Sequence, residues 1–407
     1  MNHLKNILIK TILAKPLIKV LNSADLAKRA KLNEIRSLNF ISDIEKLRIQ
    51  RIFKKRIQNN DNSLFFKDYN ELLIEVKDRL DVRPIEPIKI IKVDDMHFEE
   101  VFKDSIQRKV PLVIKGLKIN KDHFTLDNLI ELYGDLEVRF TDVSRLKNKT
   151  FYDKFKTILN STRYVQNVGR FSNKETNRHL ELNQIRNLLV GFGDKKASCY
   201  LTQLFVSAVQ NTGSWWHCAD ADNFFFMLEG EKRWTLIDPI YTYLFSPYFV
   251  EKGTYTLSLA GNCVKPIKEY CPLYDYIPKL QSILVPGDVL FNPSRWWHSV
   301  INLTKETVGC STRWKLSSTE TTSKLFENLR AVGDYPKFAA QIKLDFFMDF
   351  LNNSSFLEII KNRKNLSNIL SEPVDDELGN YNPIWEESSE IDYERILSEF
   401  PLLNNKN

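Results

Sequence analysis

The hydrophobic pattern changes twice along the chain. Residues 1–85 alternate short apolar clusters with Lys, Arg, Asn and Asp, which predicts a helical extension. Residues 86–318 contain runs of β-branched and aromatic residues between Gly, Pro and Asp turns, which is typical of strands. Residues 319–407 return to helical spacing and end in an acidic, polar tail that starts at Ser371. The sequence therefore predicts a β-rich domain between two helical extensions.

Two short helices are expected near the start of the β-rich domain. The predicted elements are a strand at 83–95, a helix at 97–110, a buried strand at 111–117 and a helix at 124–134. Thr125 suits the N-cap of the last helix and Gly134 its end. The later runs CYLTQLFVSAV, NFFFMLEGEKRWTLID, SILVPGDVLFNP and WWHSVINL predict antiparallel strands in two sheets. The predicted fold class is mainly β, a jelly-roll (double-stranded β-helix, cupin) core with helical N-terminal and C-terminal extensions.

Composition narrows the class of protein. The chain is 43% hydrophobic over 407 residues, enough for a sizeable core. Its five cysteines are odd in number and lack C-x-x-C spacing, which argues against a disulfide framework and a zinc ribbon and fits a reducing compartment. No apolar run reaches the length of a transmembrane helix. We therefore expect an intracellular protein, cytoplasmic rather than organellar.

Positive charge is concentrated at the N-terminus. The first 60 residues hold 14 Lys and Arg against four Asp and Glu, a local charge of +10, whereas the whole chain carries +6. A basic amphipathic segment of this kind has four open roles: contact with an anionic membrane surface, contact with nucleic acid, targeting, or a solvated helix packed on the main domain. The sequence does not choose among them.

Two histidines follow paired tryptophans. His217 lies in SWWHCADADN, 214–223, and His298 lies in FNPSRWWHSV, 291–300. Imidazoles on neighbouring strands of a jelly roll can face the same metal, although two distant histidines, taken alone, are more often hydrogen-bonded core residues. The other histidines lack ligand spacing and are taken as surface residues; they are His3, His97, His123 and His179.

The residues around these histidines resemble a known family. His217, Asn223 six residues later, Lys232 in GEKRW, a PGD turn and the second WWH resemble the JmjC and cupin-8 family of iron(II)- and 2-oxoglutarate-dependent oxygenases, and within it the asparaginyl hydroxylase subgroup of the hypoxia response. The resemblance spans roughly 86–316. It rests on four segments in order, KVPLVIKGL with FTLDNLIELYGD, CYLTQL, NFFFMLEGEKRWTLIDP and VPGDVLFNPSRWWHSVIN.

The resemblance implies roles for particular side chains. His217 and His298 would bind the metal, and Lys232 would bind the far carboxylate of 2-oxoglutarate, since a buried dianion needs a cation and hydroxyl donors. The other residues that the resemblance places at the cosubstrate are Tyr200, Ser214, Asn223 and Arg313. Asn223 would lie near the keto-acid end, and Arg313 would reach the cosubstrate or a substrate carboxylate. Trp216 and Trp297 are the candidates for contact with the substrate.

One position departs from the family pattern. The family's metal-binding carboxylate stands two residues after the first histidine, and here that residue is Ala219. Four interpretations follow: the two histidines suffice, Ala219 leaves room for chloride as in iron- and 2-oxoglutarate-dependent halogenases, a bulge brings Asp220 to the metal, or the domain has lost its metal and is a non-catalytic binding module.

The function that the resemblance implies is an Fe(II)- and 2-oxoglutarate-dependent oxygenase of hydroxylase or demethylase type. Its cofactors would be Fe(II) and 2-oxoglutarate, and its substrate a protein or a small molecule. The helices after residue 318 occupy the place where relatives dimerise, so a homodimer is expected.

Overall fold

A computed structural model describes most of the β-rich domain. The described residues are 81–142, 150–160, 163–168, 179–195, 197–219, 221–249 and 255–316, with Leu73, Ile74, Lys77 and Thr176. Nearly all of the N-terminal extension lies outside the described residues, as do Asp220 and the C-terminal region at 319–407. The predictions of a basic N-terminal segment that binds a surface and of a dimer through C-terminal helices therefore concern residues outside this description.

The described part contains strands, three α-helices and short 3₁₀ turns. The first elements are β1 Ile85–Pro87, β2 Lys89–Lys92, α1 Phe98–Arg108, β3 Leu112–Lys115, α2 Leu126–Tyr133, β4 Glu137–Asp142, β5 Thr150–Lys154, β6 Arg163–Val168, α3 Asn183–Gly191 and β7 Ser198–Ser207. The later elements are β8 His217–Ala219, β9 Asp222–Glu229, β10 Lys232–Ile237, β11 Pro247–Phe249, β12 Tyr255–Ser258, β13 Lys279–Leu284, β14 Val289–Asn292, β15 Trp297–Asn302 and β16 Thr307–Lys315.

The strands form two sheets. One has seven strands in the order β1-β13-β10-β15-β8-β12-β11, and the other has nine in the order β2-β3-β14-β9-β16-β7-β6-β4-β5. Pairing is antiparallel except at β1–β13 and β2–β3. Strands β7 to β10 and strands β13 to β16 alternate between the two sheets, which is the connectivity of a jelly roll. The predicted jelly-roll core is confirmed.

Strand β9 shows why this sequence needs two covered faces. In NFFFMLE the side chains alternate: Phe225 and Met227 pack between the sheets with Trp234 of β10. Phe224 and Phe226 point the other way, into a second core that contains residues of all three helices. The unbroken apolar run is therefore a strand buried on both faces, with the helices covering the nine-stranded sheet.

The first two helices were predicted correctly and the third was not. Helix α2 begins after Thr125, whose hydroxyl accepts from Asn128 N–H at 3.4 Å, and ends at Gly134. Helix α3 lies in a segment that we predicted as strand-rich. Its buried residues Ile185 and Leu189 are four apart, a helical spacing that nearby apolar residues obscure.

No helix in the described ranges is long and apolar enough to cross a membrane. All five cysteines are free thiols, of which Cys218, Cys271 and Cys310 are buried.

Candidate functional site

The two WWH segments bring their histidines together. Strands β8 and β15 are neighbours, and His217 and His298 are directly paired across them. Their ring centroids are 4.2 Å apart with an interplanar angle of 55°. His298 is also paired with Leu236, which packs between the sheets, so both imidazoles lie on the inner face of the barrel. The paired histidines predicted from the sequence are thus adjacent in the fold.

Both imidazoles are oriented in the same way. Nδ1 of His217 lies 2.8 Å from the carbonyl oxygen of Trp215, and Nδ1 of His298 lies 2.9 Å from that of Trp296. A carbonyl oxygen only accepts, so each Nδ1 donates its proton and each Nε2 keeps its lone pair. Metal-binding histidines are oriented by a hydrogen bond of this type.

Both histidines are neutral at pH 7. Burial lowers the pKa of His217 to about 4, against the hydrogen bond to Trp215, and the charge of Arg313 lowers it further. Burial, then the neighbouring His217, lowers the pKa of His298 well below its usual value, and Arg313 again adds to the effect. Two uncharged imidazoles, each oriented through Nδ1, fit a metal ion.

The third position of the usual metal site carries no carboxylate. Ala219 ends β8, and its carbonyl oxygen accepts from Arg295 N–H at 2.7 Å. Among the described residues no group of three or more His, Cys, Asp or Glu could hold a metal. Asp220 lies outside them. The donor set therefore fits a metal held by two histidines and completed by ligands from outside this part of the chain.

Lys232 lies on the same inner face, farther along the barrel. It is paired with Asn302, which follows His298 by four residues on β15. Its Nζ donates to Oδ1 of Asn302 and to Oγ1 of Thr307, the latter at 3.0 Å. Burial lowers the pKa of Lys232 to about 7. Its interior position agrees with the sequence prediction, which missed both Asn302 and Thr307.

Two other predicted cosubstrate residues lie elsewhere in the domain: Ser214 in the segment before β8 and Tyr200 in β7. The hydroxyl of Ser214 accepts from Val300 N–H at 3.1 Å, and its backbone is bonded to the same residue. Ser214 thus fastens the segment before His217 onto β15. The backbone of Tyr200 lies in β7, at the irregularity opposite Arg313.

A row of polar side chains crosses the nine-stranded sheet opposite the histidines. Asn223 is paired with Asn292 on one side and with Arg313 on the other. Ser311 Oγ donates to Asn223 Oδ1 at 2.8 Å, and Asn292 Nδ2 lies 3.3 Å from His298 Nδ1. The sequence predicted Asn223 and Arg313 here but missed Asn292 and Ser311.

In the described part of the chain, this polar row contains buried donors and acceptors that make no hydrogen bond. Within the part of the chain that the structure describes, Arg313 Nη1, Asn292 Oδ1 and Gln203 Oε1 are buried and make no hydrogen bond. Arg313 is 7% exposed. Buried polar atoms without partners are costly and rare, so three of them beside two oriented imidazoles indicate a place that receives a polar ligand.

The two tryptophans that immediately precede the histidines pack away from the barrel interior. Trp216 and Trp297 are fully buried, and both pack against Phe245 outside the barrel interior. Their burial favours packing over the substrate contact predicted from the sequence. The tryptophan ring of Trp234 stacks on His298 at a centroid distance of 5.3 Å.

The cupin-like domain family model matches residues 98–320. Over 241 residues the chain is 24% identical to tRNA wybutosine-synthesizing protein 5 of Gallus gallus, covering 53% of this chain and 74% of that protein. Over 238 residues it is 25% identical to the bifunctional arginine demethylase and lysyl-hydroxylase psr-1 of Caenorhabditis elegans, covering 53% and 58%. The lysine-specific demethylase JMJ21 of Arabidopsis thaliana is 24% identical over 216 residues, covering 50% and 23%. The chain thus spans little more than half of the second relative and under a quarter of the third.

Proposed function

Because this chain belongs to the cupin-like domain family, with relatives named as demethylases and a hydroxylase, we propose that it is an Fe(II)- and 2-oxoglutarate-dependent oxygenase with a two-histidine metal centre. We propose a hydroxylation or demethylation of a protein or small-molecule substrate. The observation that carries the proposal is the pairing of two Nδ1-anchored, neutral imidazoles on one inner face with a buried lysine.

His217 and His298 would hold the iron through Nε2. When bound, iron and 2-oxoglutarate would supply the oxidising chemistry together with dioxygen: one oxygen atom of dioxygen enters the cosubstrate, which loses carbon dioxide and becomes succinate, and the other is available to oxidise the substrate. The protein keeps the imidazoles neutral by burial and fixes their direction through the carbonyl groups of Trp215 and Trp296. Ala219 leaves the usual third position to an exchangeable ligand.

Lys232 would bind the far carboxylate of 2-oxoglutarate. Its ammonium is buried and held by Asn302 and Thr307, so it is ready to form a charge-assisted hydrogen bond without reorganisation. We propose that Tyr200 and Ser214 assist at this end, as the family resemblance implies. A carboxylate beside Lys232 would raise the pKa of the ammonium and keep it charged.

Arg313 and Asn223 would serve the keto-acid end. A guanidinium is always charged, and a metal ion between the histidines would be a second cation close to it. A negatively charged group between the guanidinium and the metal ion would offset the repulsion between these two cations. The keto-acid carboxylate of 2-oxoglutarate carries that charge. The unpaired Nη1 of Arg313 supports this role.

A second candidate function is halogenation. The methyl group of Ala219 occupies the place of the usual carboxylate, and the unpaired Nη1 of Arg313 lies in a barrel that would also accept a halide. In this alternative, chloride is the third ligand. A non-catalytic binding module is the outcome to expect if no metal binds. Surface binding by the basic N-terminus and dimerisation through the C-terminal helices remain predictions.

The test is succinate formation from 2-oxoglutarate by protein purified anaerobically with Fe(II), with and without chloride. We expect succinate from the wild type and its loss in His298→Ala, whereas His97→Ala, which removes an exposed histidine, keeps it. Turnover that requires chloride would favour halogenation. Iron binding and turnover found in Ala219→Asp alone would show that the natural barrel is not an oxygenase.

A further inference from the structure

A network of hydrogen bonds surrounds the loop that precedes His298. Ser294 N–H donates to Asp222 Oδ1 at 3.0 Å, and Asp222 Oδ2 accepts from Lys109 Nζ at 2.8 Å. The carbonyl oxygen of Lys109 in turn accepts from Trp296 Nε1 at 2.8 Å. The end of helix α1, the start of β9 and the β14–β15 loop are thereby joined, although Lys109 and Asp222 are 113 residues apart.

Two residues in this network have a positive backbone φ angle. Lys109 ends helix α1 with φ 55°, and Arg295 has φ 71° in the loop itself. Neither is glycine, so both conformations are unfavourable for an L residue and persist only where surrounding contacts enforce them. Arg295 N–H donates to Ala219 O, which ties the loop to strand β8 as well.

This network of hydrogen bonds extends to the imidazole of His298. The indole of Trp296 is held by Lys109, and the carbonyl oxygen of the same Trp296 accepts from His298 Nδ1. A shift of the loop would therefore move the acceptor that fixes the tautomer and the ring direction of His298. Asp222 and Lys109 do not approach the barrel interior themselves, because Asp222 faces helix α1 and its neighbour Asn223 faces inward.

We infer that Lys109 and Asp222 are positioning residues for His298: their buried ion pair fixes the Ser294–Trp296 loop and thereby keeps Nε2 of His298 free for a metal. Asp222 is fully buried and the Lys109 side chain is 13% exposed. A buried ion pair of this kind contributes little net stability, so its role is to fix the geometry of the loop. The importance of this geometry for catalysis rests on the proposed function.

The chain contains a matched control. Lys115 and Asp288 form a second ion pair between lysine and a buried carboxylate, at 3.1 Å, and Asp288 also accepts a backbone N–H, from Val285. This pair joins β3 to the turn before β14, at the opposite end of that strand from the His298 loop. Its loss should cost stability without disturbing His298.

The experiment compares Asp222→Asn and Lys109→Met with Asp288→Asn and Lys115→Met. Two readouts are needed: imidazole ¹⁵N chemical shifts, with His298 assigned by His298→Ala, and Co(II) binding followed by its visible absorption. We expect a pure Nδ1–H tautomer of His298 in the wild type and the control variants. Asp222→Asn and Lys109→Met should mix the tautomers and weaken Co(II) binding by about 10-fold or more, the usual effect of removing support from a metal-binding histidine.

The two proposals fail separately. An unchanged His298 tautomer in a folded Asp222→Asn or Lys109→Met variant overturns the positioning role, and so does an equal change in the control variants at equal loss of Tm. Absence of Co(II) binding by the wild type overturns the metal centre, while the tautomer still decides the positioning role. If Asp222→Asn does not fold, Lys109→Met carries the test, because a methionine can fill the space of the lysine stem.

Discussion

Two lysines on neighbouring strands of the seven-stranded sheet, Lys232 and Lys279, are both buried, yet their partners differ. Lys232 lies on the inner face, where Asn302 and Thr307 hold its ammonium by side-chain oxygens. Lys279 lies on the outer face, where the carbonyl oxygens of Tyr274 and Ile277 accept from it. Burial lowers the pKa of the first to about 7 and that of the second to about 8.

The difference separates a binding group from a structural one. Lys279 is enclosed by the backbone of a turn and lies over the Tyr274 ring at 4.3 Å, so its interactions are complete without a ligand. Lys232 faces the space between the sheets, and its acceptors are the side chains of Asn302 and Thr307. A depressed lysine pKa alone therefore does not identify a site; the side of the sheet and the type of acceptor do.

Exchange of each lysine for methionine should give opposite results. Lys232→Met should weaken 2-oxoglutarate binding by about 100-fold or more, since it removes the buried partner of a carboxylate. Lys279→Met should leave binding intact and cost about 2–3 kcal/mol of stability, because two carbonyl groups lose a charged donor. Calorimetry with Mn(II) and urea unfolding measure the two effects. Equal loss of binding in both variants would contradict the comparison.

The pH dependence of binding should follow Lys232 and not Lys279. Carboxylate binding requires a charged ammonium, and Lys232 loses its proton as pH rises through about 7 in the free protein. Affinity for 2-oxoglutarate should be constant below that pH and fall by about tenfold per unit above it, with uptake of one proton on binding. His217, with a pKa of about 4, is neutral throughout this range. Calorimetry in buffers of different ionisation enthalpy measures the uptake, and Lys232→Met should abolish the slope.

The lowered pKa of Lys279 also predicts the direction in which the free energy of unfolding changes with pH. A lysine whose pKa is lower in the folded state binds fewer protons there than in the unfolded chain between the two pKa values. The contribution of Lys279 to the free energy of unfolding should therefore rise as pH increases from about 8 toward its ordinary value of 10.5. Lys279→Met should flatten that rise in urea unfolding at pH 8 and pH 10. An equal change with pH in the wild type and in Lys279→Met would contradict the assignment.

The family resemblance, and not the local pattern, singled out Lys232, because GEK is by itself an ordinary turn sequence in which an exposed lysine is expected. In the fold Lys232 begins strand β10, whose next inward residue is Trp234. Lys279 follows a turn, and nothing in PKLQSIL distinguishes it from an exposed lysine. Its burial depends on the fold of the preceding turn. Alternation along β15 from His298 does point to Asn302, a signal that was present in the sequence and missed.

Contacts between distant segments mark the limit of the sequence pattern. The unbroken apolar run of β9 and the caps of α2 are local, and they predicted their elements correctly. The ion pair between Lys109 and Asp222 depends on the packing of α1 against the nine-stranded sheet. No spacing rule connects residues 113 apart, so the support of His298 is visible only in the fold.

The smallest expected effect belongs to Thr307. Thr307→Val keeps the shape of the side chain and removes one of the oxygens that hold Lys232 Nζ, so 2-oxoglutarate affinity should fall by about fivefold, equivalent to about 1 kcal/mol. Thr235→Val is the matched control, because Thr235 is an equally buried threonine whose hydroxyl accepts from Gln281 on the outer face. An equal effect of the two substitutions would mean that burial near β10, and not contact with Lys232, sets the affinity. A fall confined to Thr307→Val would show that the side-chain oxygens around Lys232 prepare it for its ligand, a role that the backbone carbonyls around Lys279 cannot have.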